Sequence, residues 1–271
     1  MSQSLTYASY LELENLLKLQ VPRSGDDWND AEHDELLFIV IHQVYELWFK
    51  QILHEMDLMA RHLDEHRPDD GRTSKIRGAL KRVLTILKTM VSQVDILETM
   101  TPVSFNSFRA RLDESSGFQS PQFRELEFML GNRRRAMLKY HEENPPALKR
   151  LERRLAEPTL YQLFLRYLGR SGYDVPDAVY GFDPEHPIRE MPEVRPALVS
   201  IYQEDGRLVE VCERLVDLDE GLQEWRYRHV KMVERTIGTK PGTGGSPGAE
   251  YLRTTLFNPV FPDLWAIRSE L

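Results

Sequence analysis

Along most of the chain, apolar positions recur at the three-and-four spacing of α-helices, not at the period of two that marks strands. Leu37, Ile41, Val44, Trp48, Ile52, Met56, Met59 and Leu63 predict one face of a helix from near Asn29 to about Asp64. A second line, Phe38, His42, Tyr45, Phe49 and Leu53, runs beside it. This helix is therefore apolar over more of its circumference than a surface helix requires. Asn29 followed by Glu32 predicts its N-terminal cap. A second long helix, from about Ser74 to Met100, carries Leu80, Val83, Leu87, Met90, Val94 and Leu97 in strict alternation, the pattern of a bundle seam.

The remaining pattern is also helical. Residues 5–17 predict a short amphipathic helix, capped by Thr6 or Ser9, that groups Tyr10, Leu13 and Leu17. Thr101-Pro102 breaks the second long helix. Ser120-Pro121 opens another, which Gly131-Asn132 ends. Shorter helices are expected at about 147–156 and 159–168, then an irregular stretch over 170–193. Two more, at about 194–218 and 219–237, precede a loop of Gly, Thr and Pro over 238–248. No run of alternating β-branched residues predicts a strand. The expected fold is all-α, a bundle of long helices in a single domain over 1–271. A 30-residue helix spans about 45 Å, more than a compact monomer needs, so helices shared between subunits are expected.

Composition narrows the function. Of 271 residues, 41% are hydrophobic and 29% charged, the balance of a globular protein. The formal charge of −8 argues against a nucleic-acid partner. The run Arg133-Arg134-Arg135 reads as solvated loop charge. A lone cysteine, Cys212, excludes an intramolecular disulfide and any cysteine-based metal centre, and its apolar flanks predict an inert core thiol. With no charged-then-apolar leader and no 18-residue uncharged run, the expectation is a cytoplasmic protein without a membrane partner.

Candidate chemistry begins with His42, in the middle of an apolar line. A hydrogen-bonded core histidine is the ordinary reading of such a residue. His229 repeats the situation, sharing a face with Leu222, Trp225, Met232 and Thr236. Two long apolar helices, each with one inward histidine, are the arrangement expected around a flat cofactor or a metal. No histidine has Glu three residues before it on a helix, as a di-iron bundle requires, and His54-Glu55 lacks the second histidine of a zinc helix. Haem, which needs one imidazole and an apolar slot, fits best. Arg109 reads either as a surface residue or, turned inward, as a carboxylate clamp. The 238–248 loop lacks the Gly-Lys-Ser/Thr ending of a phosphate loop; it reads as a linker or as a lid closing on a small polar ligand through Thr243.

Five motifs in order resemble the tryptophan 2,3-dioxygenase family. They are Phe38-Ile39-x-x-His42-Gln43-x-x-Glu46-Leu47-Trp48-x-Lys50, Leu97-Glu98-Thr99-Met100-Thr101-Pro102, Ser116-Gly117-Phe118-Gln119-Ser120, Trp225-Arg226-x-x-His229 and Gly242-Thr243-Gly244-Gly245-Ser246. They span nearly the whole chain. The resemblance implies a helical homotetramer, a dimer of dimers, that binds haem b and inserts O2 into the indole ring of L-tryptophan to give N-formylkynurenine. It implies His229 as the axial haem ligand and His42 as the distal histidine that meets the indole N–H. Phe38 and Phe105 would contact the substrate, Arg109 would clamp its carboxylate, and Thr243 would meet its ammonium and carboxylate. Ser116 and Gly117 would lie beside the haem and the bound oxygen. Tyr7 and Tyr10, within an N-terminal segment over 1–28, would reach a neighbouring subunit's pocket. Ala8 stands where the family usually has Gly, Phe105 where some members have Tyr, and Pro247 would stiffen the loop. A haem monooxygenase of the same superfamily, acting on tryptophan or a substituted indole, and a non-catalytic haem sensor are the alternatives.

Overall fold

A computed structural model describes residues 4–65, 70–181, 186–243 and 248–271, and every regular element among them is helical. In chain order these are α1 (Tyr7–Tyr10), α2 (Leu13–Leu16), α3 (His33–Glu65), α4 (Asp70–Leu97), α5 (Pro102–Arg109), α6 (Pro121–Met129), α7 (Pro145–Leu155), α8 (Leu160–Arg170), α9 (Arg195–Glu204), α10 (Gly206–Ile237), α11 (Ala249–Arg253) and α12 (Pro262–Ala266). The all-α expectation holds.

The three longest helices form the frame. α4 packs along both α3 and α10, while α6 and α8 lie on α3, and α9 and α12 lie on α10. The predicted stripes face one another in this core: Ile52, Met56 and Met59 of α3 and Val83, Leu87 and Met90 of α4 are all buried. Each such side chain contributes about 1.5–3 kcal/mol on burial. α3 has the length and hydropathy of a membrane span, and only 22% of its most apolar stretch is buried within this chain. Cys212 is buried as expected, and burial pushes its thiol up to about 12.

Several boundaries follow local caps. Ser120 accepts from Phe123 N at 3.1 Å, with Pro121 in the first turn of α6. Thr159 and Gln162 form a capping box at the start of α8. Gly131 takes a positive φ of 94° after α6, where a side chain would be strained and would press on Ile188.

Three expectations need correction. α3 begins at His33, not at an Asn29 cap, because the preceding loop folds on acidic side chains. Asp30 accepts from the backbone of Asp26 and Asp27, and Glu35 accepts from the N–H groups of Arg23 and Ser24. The single helix expected over 5–17 is two single turns, broken at Glu12, whose φ is +51°. The expected junction between 218 and 219 lies instead at Asp205, whose carboxylate caps α10 by accepting from Arg207 N and Leu208 N. α10 runs unbroken through Asp219 because that buried carboxylate accepts from Val260 N, Phe261 N and the Trp265 indole, all in the C-terminal segment. Gln223 Nε2 donates to its other oxygen at 3.0 Å, so side chains and distant backbone groups meet its hydrogen-bonding capacity and it does not compete with the helix backbone.

Candidate active site

Between α3, α5, α6 and α10 lies a cavity of about 320 Å³, closed in addition by the 3-10 turn Gly117–Gln119 and by α11. That is within the range of small-molecule and cofactor sites. α3 supplies Phe38 and His42, one turn apart on one face. Thr101 caps α5 by accepting from Ser104 N, and α5 carries Phe105 and Arg109 to the same wall. Ser116 caps the 3-10 turn, so its hydroxyl accepts from Phe118 N at 3.3 Å, with Gly117 beside it. α10 brings His229, and the segment after it brings Thr243.

Eight predicted site residues therefore share one cavity: Phe38, His42, Phe105, Arg109, Ser116, Gly117, His229 and Thr243. Tyr7 and Tyr10 do not join them. They are 76% and 72% exposed on α1, away from the cavity wall of their own chain. Residues 244–247, which hold the rest of the last motif and Pro247, lie outside the described residues.

The two histidines differ in their surroundings. His42 Nδ1 lies 2.7 Å from the Phe38 carbonyl, and its ring lies 4.2 Å from the Phe38 ring. A carbonyl only accepts, so Nδ1 carries the proton and Nε2 is left as an acceptor. Water reaches His42 through the cavity, yet protein surrounds it. Desolvation holds its pKa below the usual histidine value against the Phe38 carbonyl and Glu46. His229 is pushed down to about 4, first by desolvation and then by His42. Both imidazoles are neutral at pH 7. His229 has no hydrogen-bond partner among the described residues, and its ring stacks on Trp225.

Arg109 donates to the Pro241 carbonyl, and Thr243 donates to the Ser115 carbonyl. The post-α10 segment is thereby tied to α5 and to the loop before the 3-10 turn. Arg109 thus lines the cavity with its guanidinium on the Pro241 carbonyl.

One part of the wall was not foreseen. Glu127 of α6 gathers three guanidinium groups. Arg124 donates to it, Arg134 lies 3.1 Å away and Arg226 of α10 lies 3.4 Å away. Arg134 also donates to the Tyr251 hydroxyl of α11. Arg124 is only 2% exposed, and burial pushes its guanidinium down while Glu127 pulls it back up. The Nε atoms of Arg124 and Arg134 are buried without a partner among the described residues. Across the lining, four arginines face two glutamates, Glu46 and Glu127, an excess of two positive charges. The reading of Arg133 and Arg134 as solvated is thus overturned, while Arg135 is exposed as that reading expects. Arg133 is buried against the carbonyls of Leu155 and Glu157, and Arg134 belongs to the cavity cluster. A sequence signal was present in Arg226, inside the motif that carries His229, but its role depends on Glu127, 99 residues away.

Among the described residues no group of three or more His, Cys, Asp or Glu is arranged to hold a bare metal ion. The lining instead combines apolar side chains, an arginine cluster and two imidazoles.

The family model described as tryptophan 2,3-dioxygenase matches residues 1–174 and 194–271. A tryptophan 2,3-dioxygenase of Herpetosiphon aurantiacus is 55% identical over 271 residues, covering all of both chains. One from Anaeromyxobacter sp. is 56% identical over 274 residues, covering all of this chain and 97% of its own. One from Caulobacter vibrioides is 45% identical over 274 residues, again covering all of both chains. With the family model matching nearly the whole length and relatives matching end to end, the chain belongs to the tryptophan 2,3-dioxygenase family.

Proposed function

We propose that the chain is a haem-dependent oxygenase that inserts both atoms of O2 into the indole ring of L-tryptophan, giving N-formylkynurenine. The observation that carries this reading is the meeting, in one cavity, of an imidazole without a hydrogen-bond partner, a second imidazole with a free acceptor nitrogen, and an inward arginine. The names of the relatives support it.

The wall fits haem b on two counts. An axial ligand must be neutral with an available nitrogen, and His229 meets both conditions. Haem b bears two carboxylates, for which the unpartnered Nε atoms of Arg124 and Arg134 offer donors. His229 would hold the iron and Arg124, Arg134 and Arg226 the carboxylates, with Ser116 and Gly117 beside the haem and bound oxygen. When bound, haem supplies the binding and activation of O2.

The protein's own residues then bind and orient. A zwitterionic amino acid entering an apolar cavity needs its carboxylate paired, and Arg109 provides two parallel donors in exchange for the Pro241 carbonyl. The Thr243 hydroxyl meets the ammonium and carboxylate. Phe38 and Phe105, with rings 5.6 Å apart, pack on the indole. His42 Nε2 accepts from the indole N–H and sets the ring's angle. Indole N–H is too weak an acid for ready removal, so this role is orientation and does not require His42 to act as a base.

The same reading takes residues 1–271 as one cytoplasmic haem-binding domain assembled as a homotetramer, with 1–28 reaching a neighbour. The bare apolar side chains of Leu5, Tyr7, Tyr10, Leu17 and Leu19 support that assembly.

The test is aerobic incubation of the reduced haem protein with L-tryptophan, followed by mass spectrometry. The expected product carries two added oxygen atoms and an opened ring. One added atom would instead identify a monooxygenase, and unaltered tryptophan would favour a haem sensor.

A further inference from the structure

The rings of the two cavity histidines are fixed in different ways. His42 is pinned by its Nδ1–H bond to the Phe38 carbonyl, one turn back on α3. His229 has no equivalent bond among the described residues. The last torsion of a histidine side chain is soft, with a broad and roughly two-fold profile, so a neighbour must set the plane of the ring. The group in position to do so is Trp225, one turn back on α10. Its ring lies parallel to His229, at an interplanar angle of 5° and a centroid separation of 5.6 Å. This is an offset stack.

Trp225 is itself wedged. Phe49 meets it edge-on at 6.0 Å and 89°, Phe123 lies at 5.2 Å, and Tyr45 at 6.4 Å. The Tyr45 hydroxyl donates to the Met90 carbonyl of α4 at 2.6 Å. Side chains of α3, α6 and α10 therefore converge on one indole, and the α4 backbone anchors one of them, Tyr45. The His42 helix supplies part of the wedge that holds the surface on which His229 rests.

We propose that Trp225, held by Tyr45 and Phe49, is the positioning residue that sets the plane of the His229 ring. Stacking here does what a hydrogen bond to the second ring nitrogen usually does for a metal-bound histidine. The proposal rests on the reading of His229 as the axial haem ligand. Without an acceptor on its second nitrogen, the imidazole is not drawn towards the imidazolate and stays a neutral donor. Removing the stacked ring frees the imidazole to sample several orientations about the iron–nitrogen axis.

The test is resonance Raman spectroscopy of the ferrous holoprotein, following the iron–imidazole stretching band in the wild type and in the Trp225→Leu, Trp225→Phe and Tyr45→Phe variants. The wild type should give one narrow band. Trp225→Leu should broaden or split it while the haem content and Soret absorbance persist, and Trp225→Phe, which keeps a flat ring, should recover most of the sharpness. A Trp225→Leu band identical to the wild type overturns the proposal. Should Trp225→Leu fail to retain haem, Tyr45→Phe decides. It leaves the stack and cavity in place but loosens the wedge, so a shifted or broadened band supports the proposal and an unchanged one overturns it. Absence of any iron–imidazole band in the wild type would overturn the axial reading itself, which separates that failure from a failure of the stacking role.

Discussion

Arg109 and His42 hold opposite ends of the proposed substrate, and their chemistry makes different predictions. Arg109→Ala would leave the substrate carboxylate unpaired in an apolar cavity, at a cost of about 3–5 kcal/mol. kcat/KM for L-tryptophan should then fall by about two to four orders of magnitude, mainly through KM, with the Soret band unchanged. Equal loss of haem binding and substrate binding would count against the clamp. His42 acts through its neutral form, and burial holds its pKa below the usual 6.5. Protonation removes the acceptor, so kcat/KM should stay level as pH falls through 6.5 and decline only below it. A decline centred at or above 6.5 would show that His42 is not held neutral by burial.

At the level of elements, Glu127 does more than balance charge. It ties α6 to α10 through Arg226 and to the loop after α6 through Asn132 and Arg134, and Arg134 reaches α11 through Tyr251. Removing one member of a buried charged group leaves the others uncompensated, which costs about 3–5 kcal/mol. Glu127→Ala should therefore lower the urea midpoint of the haem-free protein by a corresponding amount. Haem should restore part of the loss, because its carboxylates can take the place of the missing one. If the variant is as stable as the wild type, the cluster is not the junction described.

For the whole molecule, the apolar surface left bare on one chain is the main evidence. Leu36, Val40 and Leu47 of α3 are exposed alongside the N-terminal apolar residues. In the proposed assembly a neighbouring subunit would cover these side chains. Removal of residues 1–28 should reduce the mass measured by light scattering and lower kcat/KM for L-tryptophan while haem binding persists. A truncated protein of unchanged subunit number and full activity would show that Tyr7 and Tyr10 serve no neighbour.

The helices of the frame could be read from residues alone because their causes are local. Stripes repeat every three or four residues, and caps such as Ser120 and Thr159 act within three positions. The candidate histidines were legible for the same reason, since a polar ring in an apolar stripe stands out; Arg109 and Thr243 stood as open alternatives, and the family resemblance added Ser116 and Gly117. Packing decided the rest. Whether α10 breaks near Asp219 depends on backbone groups 41 and 42 residues away. Whether Arg134 is solvated depends on a glutamate on the preceding helix and a tyrosine on α11. The plane of His229 depends on an indole wedged from α3 and α6. A side chain's solvation and orientation are set by atoms distant along the chain, and only the folded molecule brings those atoms together.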